Sequence, residues 1–113
     1  MTNYLCTNCA TLVQSKSIPT ATGCPNGVAH RWRRVSEVGD INYQCRECAT
    51  LIQSNRLPSP AGCPTDRTHR WSRLGEMGDT RYKCEKCTTK LDTDHMPNPT
   101  GCPDGGIHRW IAV

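Results

Sequence analysis

Three sets of cysteine and histidine residues carry the chemistry that this sequence offers. Each set has two cysteines separated by two residues, a third cysteine after fourteen more, and a histidine after five more. The sets are Cys6, Cys9, Cys24 and His30; Cys45, Cys48, Cys63 and His69; and Cys84, Cys87, Cys102 and His108. Three thiolates and an imidazole that converge on one point form the tetrahedral donor set of a structural Zn²⁺ ion. Because these soft ligands favour zinc over magnesium or calcium, the spacing predicts three zinc ions per chain.

Disulfides and iron are the other uses that nine cysteines allow. An odd number of cysteines excludes complete pairing within one chain, and the first residues carry no basic stretch followed by an apolar run, so no secretory signal is expected. No segment is apolar enough to span a membrane, and a reducing, cytoplasmic setting is expected, where thiols stay available. A mononuclear iron site or a 2Fe–2S cluster is the alternative metal assignment. His95 lies outside the pattern in a polar loop and is expected to be solvated.

The three ligand sets belong to one repeat with a constant period of 39 residues. It predicts three units, at residues 1–40, 41–79 and 80–113. The joints between them match in length and contain Gly-Asp turns at 39–40 and 78–79. Either the joints hold successive units at a similar angle, as in a short rod, or the duplication copied them without rigidity. Eleven positions are identical in all copies; in the first they are Tyr4, Cys6, Cys9, Thr11, Pro19, Gly23, Cys24, Pro25, His30, Arg31 and Trp32.

Short strands are the elements that must position these ligands, since no stretch shows a helical period. Residues 49–53 and 69–74 read as strands, so each repeat is expected to be a zinc-ribbon-like antiparallel sheet of two or three strands. Units this small usually need a metal to fold. We expect Tyr4, Trp32, Val13 and Ile18, with their copies, to form the small core that shields the thiolates. In the alternative, the aromatic rings are exposed and stack on nucleic-acid bases.

The Cys-x-x-Cys pair and the later Gly-Cys-Pro resemble the zinc-ribbon and zinc-knuckle families. In a knuckle of this kind the proline fixes the turn while later amides reach the sulfur. The prolines are Pro25, Pro64 and Pro103. The sequence departs from the family where a glycine usually follows the first pair, and where the second pair is Cys-x5-His. The residues in the glycine's place are Ala10, Ala49 and Thr88. The resemblance covers the chain three times over and implies metal binding, while the biological role stays open.

One arginine per repeat lies between the ligand histidine and the tryptophan and is expected to point away from the core. These residues, with two neighbours in the first repeat, are the candidate partner-binding residues: Arg31, Arg33, Arg34, Arg70 and Arg109. They either bond locally to carbonyls and acids, or form a row that grips phosphates or carboxylates on an extended partner.

Charge bears on the kind of partner. The formal net charge of +4 counts cysteine as neutral, whereas each zinc-loaded site adds one negative charge, which leaves about +1 for the loaded chain. A chain so close to neutral is not expected to bind duplex DNA tightly at physiological salt. A protein partner is therefore placed ahead of single-stranded nucleic acid.

Catalysis is not expected, because four protein ligands leave each zinc without the open position that catalytic zinc needs. The sequence predicts a triple zinc-binding module that acts as a protein-interaction adaptor or subunit. A nucleic-acid-binding array, with single strands favoured over duplex, is the alternative. A redox or zinc sensor is the third hypothesis.

Overall fold

A computed structural model of the chain describes residues 1–25, 27–61, 63 and 68–113. Their secondary structure consists of three antiparallel sheets of three strands, each with its first strand in the middle (orders β2-β1-β3, β5-β4-β6 and β8-β7-β9). This confirms the prediction of a small β fold built from three repeated units. Among the described residues no helix is long and apolar enough to cross a membrane. The strands are β1 (Thr2–Cys6), β2 (Leu12–Ser15), β3 (Trp32–Glu37), β4 (Ile41–Cys45), β5 (Leu51–Ser54), β6 (Trp71–Glu76), β7 (Thr80–Cys84), β8 (Lys90–Thr93) and β9 (Trp110–Ala112).

The strand register brings the metal-binding residues to one end of each sheet. In the first repeat Cys6 is the last residue of β1 and pairs with Trp32, the first residue of β3. His30 therefore enters the sheet beside Cys6, while the turn between β1 and β2 carries Cys9. The second and third repeats have the same register, with Cys45 opposite Trp71 and Cys84 opposite Trp110.

The turn after each first cysteine pair uses a left-handed residue that is not glycine. Ala10 has a φ of 62°, and its amide donates to the carbonyl of Cys6 at 2.9 Å. Ala49 and Thr88 adopt the same conformation, with φ of 63° and 62°. The replacement of the usual glycine therefore leaves the shape of the turn unchanged, although a side chain at such a φ costs about 1 kcal/mol.

Successive repeats pack closely, and both joints use equivalent contacts. Leu5 and Val35 of the first repeat form a buried cluster with Tyr43 and Ile52 of the second. Buried asparagines also cross each joint: Asn3 Nδ2 donates to the Gln53 carbonyl at 2.9 Å, and Asn42 Nδ2 donates to the Asp92 carbonyl at 3.1 Å. The amides of Ser59 and Asn98 donate to the carbonyls of Val35 and Leu74 at 3.0 and 2.8 Å. The repeated contacts favour a constant inter-repeat angle, and the molecule measures 38 × 27 × 23 Å.

The predicted core is correct at one apolar position of the repeat and wrong at the other. At the first position Ile52 and Leu91 are buried and Val13 is half-buried. At the second position the side chains are exposed, because the turn that follows β2, β5 or β8 carries them away from the sheet. The exposed fractions are 70% for Ile18, 66% for Leu57 and 66% for Met96.

Candidate metal centres

Each predicted ligand set is gathered into one cluster. Within the described residues three groups of three cysteines and one histidine have ligand atoms that all lie within 4.8 Å of one another. The groups are Cys6, Cys9, Cys24 and His30; Cys45, Cys48, Cys63 and His69; and Cys84, Cys87, Cys102 and His108. The first and third cysteines are buried, and the second is half-buried. His95 belongs to none of these clusters and is exposed.

The geometry of the clusters fits a tetrahedral metal ion. The imidazole Nδ1 lies 3.6 Å from the second sulfur in the first repeat and 3.5 Å in the other two. Zinc–sulfur and zinc–nitrogen bonds of about 2.3 and 2.0 Å at the tetrahedral angle place these ligand atoms about 3.5 Å apart. Each of the nine cysteines, all of them among the described residues, carries a thiol and not a disulfide. Three potential metal sites are therefore built into the chain.

Backbone amides stabilise the thiolate form of the first cysteine in each set. The amides of Arg31, Arg70 and Arg109 donate to Sγ of Cys6, Cys45 and Cys84, each at 3.4 Å. These bonds follow from the antiparallel register, which sets the residue after the histidine against the end of the first strand.

The thiol pKa values show the result. Burial raises the pKa of Cys6, but hydrogen bonds from His30 and from three backbone amides outweigh it and lower that pKa to about 6. A hydrogen bond from Cys48 lowers the pKa of Cys45 to about 3, and Cys48, which keeps its proton, has a raised pKa. The clusters thus contain cysteines that ionise readily, as metal binding requires.

A threonine contacts the second sulfur of every set, a role that the sequence interpretation missed. The distance between Oγ1 and Sγ is 3.1 Å for Thr11 and Cys9, 3.1 Å for Thr50 and Cys48, and 3.2 Å for Thr89 and Cys87. The signal was present in the sequence, because this threonine is identical in all three repeats. Its hydroxyl holds the half-buried sulfur, which is the ligand most accessible to solvent.

The tryptophan of each repeat stacks on the ligand histidine. The ring centroids lie 4.6, 4.5 and 4.4 Å apart, with interplanar angles of 27–29°. Each indole N–H donates to a loop carbonyl, as Trp32 does to Thr20 at 2.9 Å. The expectation that Trp32 covers the side of His30 is confirmed. Nε2 of His69 and His108 is buried and has no hydrogen-bond partner among the described residues, so ring stacking is the contact that orients the imidazole.

The second knuckle is described in the first and third repeats. The amide of Gly27 donates to the carbonyl of Cys24 at 3.0 Å, and the amide of Gly105 donates to that of Cys102 at 3.0 Å. Both bonds close a tight turn around the Cys-Pro dipeptide. In the middle repeat Pro64 lies outside the described residues.

The candidate partner-binding arginines are all exposed: Arg31, Arg33, Arg34, Arg70 and Arg109. Two of them have acidic neighbours, since Arg34 contacts Glu37 at 2.7 Å and Arg70 lies 3.9 Å from Glu47. A role of their side chains in binding a partner stays a prediction.

The case for the metal sites comes from geometry alone. In all three repeats the same strand register, amide-to-sulfur bonds and ring stacking surround the same four ligands. Comparison of the chain with protein-family models, with curated proteins and with solved structures finds no match.

Proposed function

We propose that this chain is a non-enzymatic zinc protein whose three Zn²⁺ sites hold a rigid, zinc-ribbon-like scaffold that binds another protein. One observation carries the proposal: three buried clusters, each of three cysteines and one histidine, have all ligand atoms within 4.8 Å. This donor set suits zinc, and three thiolates also allow iron. Within each cluster the bound ion would supply the attraction that keeps the two turns and the loop together.

A structural role follows from the number of ligands. Four protein ligands fill a tetrahedral zinc site, and no coordination position is left for a substrate or a water molecule. The residues around the ligands support such a closed site, since amides and threonine hydroxyls bond to the sulfurs and tryptophan rings stack on the histidines. Zinc binding can contribute on the order of 10 kcal/mol to the folding of such units.

Two observations favour a protein partner over nucleic acid. The zinc-loaded chain would carry a charge of only about +1, which gives phosphates little long-range attraction. The tryptophans, which could otherwise stack on bases, already stack on histidines, and their N–H groups bond to loop carbonyls. We place the protein in a reducing compartment such as the cytoplasm, which would preserve its thiols.

Metal analysis of protein purified without added chelator tests the zinc assignment, and about three zinc atoms per chain are expected. A value near one, or iron with visible colour, would contradict the proposal.

A salt titration against duplex and single-stranded oligonucleotides tests the choice of partner. Submicromolar duplex binding at about 0.15 M salt, weakened in the variant Arg31→Ala with Arg33→Ala, would make this chain a DNA-binding array instead.

A further inference from the structure

A groove crosses both joints between the repeats. At the first joint a depression of about 380 Å³ lies between Glu37, at the end of β3, and Leu57, in the turn after β5. A second depression, of about 520 Å³, includes Asp40, and a third, of about 230 Å³, lies at the second joint and includes Met96. Asn55 lines the first and second, and Glu76 lines the second and third. The three depressions therefore meet and form what we call the joint groove.

The two ends of the joint groove are copies of each other. A shift of 39 residues turns Arg34, Glu37 and Leu57 of the first depression into Arg73, Glu76 and Met96 of the third. The copies exist because both joints are built from the same contacts, so the groove is a property of the array and of no single repeat. An extended chain lying along it would meet the same kind of surface twice.

An exposed aliphatic side chain stands at each end of the groove. Leu57 and Met96 are each 66% exposed, occupy equivalent positions, and contribute nothing to the buried clusters. A single exposed aliphatic residue needs no explanation. Here the position is apolar in all three repeats, and the structure gives it no packing role. Contact with a partner accounts for both observations.

The charges of the groove differ from end to end. Arg34 pairs with Glu37 at 2.7 Å, and Arg73 pairs with Glu76 at 3.7 Å, so these charges largely compensate each other. Three charged side chains in the groove have no ion pair with a described residue: Arg56 at the first joint, Asp40 in the middle and Asp94 at the second joint. One end is thus cationic, and the rest is anionic. A nucleic-acid strand, with a phosphate at every step, would be repelled by both aspartates.

We propose that the joint groove binds an extended peptide segment of a partner protein. Apolar side chains of the segment would lie on Leu57 and Met96, an acidic group would face Arg56, and a basic group would face Asp40 and Asp94. Extended peptides of this kind gain specificity from pockets for successive side chains and from matched charges. The inference rests on the proposed function, because zinc-held repeats must keep the two joints in place.

A phage-displayed library of random octapeptides, selected on the zinc-loaded full chain, tests the proposal. We expect enriched peptides that combine apolar residues with an acidic and a basic end. Synthetic copies of them should bind, by fluorescence anisotropy, at least about tenfold more weakly to the double variant Leu57→Glu with Met96→Glu, which corresponds to about 1.4 kcal/mol. Asp94→Lys should weaken the same peptides. The matched control is Ile18→Glu, the equivalent exposed position in the first repeat, which lines none of the three depressions and should leave binding unchanged.

Three results would overturn the groove. They are no enrichment above background, binding that the double variant leaves intact, and equal loss of binding in Ile18→Glu. Binding of a dT12 oligonucleotide that the double variant abolishes would also overturn it, in favour of nucleic acid. Metal analysis of every variant separates the two proposals: a chain with three zinc atoms and no peptide binding refutes the groove alone, whereas a chain that lacks the zinc refutes the scaffold and the groove together.

Discussion

The tight joints predict a large cost for adding one methyl group at Gly39. A Cβ atom on Gly39 would lie 2.6 Å from the Cα of Asn55 and closer still to its amide nitrogen, whereas Cβ contacts below 3.4 Å are uncommon. The obstacle is backbone, which no side-chain rotation can relieve, so the second repeat must move away by about 1 Å. Gly78 has the equivalent role at the second joint, where an added Cβ would lie 2.5 Å from the Cα of Asp94.

The energetic cost has two parts. Overpacking of this kind costs about 1–3 kcal/mol. Movement of the joint also weakens the two hydrogen bonds that the Gln53 carbonyl accepts, from Asn3 Nδ2 at 2.9 Å and from the Gly39 amide at 3.3 Å. Each bond contributes about 1 kcal/mol. We therefore expect Gly39→Ala to lower the free energy of unfolding by about 3–5 kcal/mol, and Tm by roughly 10–20 °C.

Thermal and urea unfolding of the zinc-loaded protein, followed by tryptophan fluorescence, measures this cost. Gly105→Ala is the control, because an added Cβ there meets no atom within 4 Å and only the backbone strain at a φ of +91° remains. That strain should cost about 1–2 kcal/mol. If Gly39→Ala were no more destabilising than Gly105→Ala, the repeats would not be in tight contact, and the rigid joint would be refuted.

Further predictions concern the metal sites. Removal of metal by a strong chelator should unfold the chain, and added zinc should restore near-ultraviolet circular dichroism, because each repeat has little core of its own; a folded apo protein would contradict this. Thr50→Val removes the hydroxyl that lies 3.1 Å from Cys48 Sγ and should weaken zinc retention at the middle site by about tenfold, with Thr50→Ser as the control in a competition with a chromogenic chelator. Thr88→Gly relieves a φ of 62° at a β-branched residue and should stabilise the holo protein by about 0.5–1 kcal/mol in urea unfolding, whereas a loss of stability would show that the turn is unstrained. Cys63→Ser should lower the metal content from about three atoms per chain to about two; loss of all three would show that 1–40, 41–79 and 80–113 do not fold as separate units.

Much of the metal site could be read from the spacing of a few residues. A Cys-x-x-Cys pair in a turn is local, so the sequence alone brings Cys6 close to Cys9. The period of 39 residues then repeats the arrangement twice, and identity in all copies marks the ligands, the tryptophans and Thr11 as a set. The function of Thr11 was not predicted, because a hydroxyl in a turn has many possible partners and only the folded turn places it against Cys9 Sγ.

The joints and the exposed aliphatic positions needed the tertiary structure. From sequence, Ile18 and its copies were assigned to the core because they stay apolar, yet the turn after each second strand directs them to solvent. The sequence could not show that Leu5 and Val35 complete the core of the following repeat, since contacts between repeats depend on their relative orientation. Composition, spacing and repetition thus determined the ligand sets, which lie within short loops. The groove was decided by the tertiary structure, because it exists only where the end of one sheet meets the turn of the next.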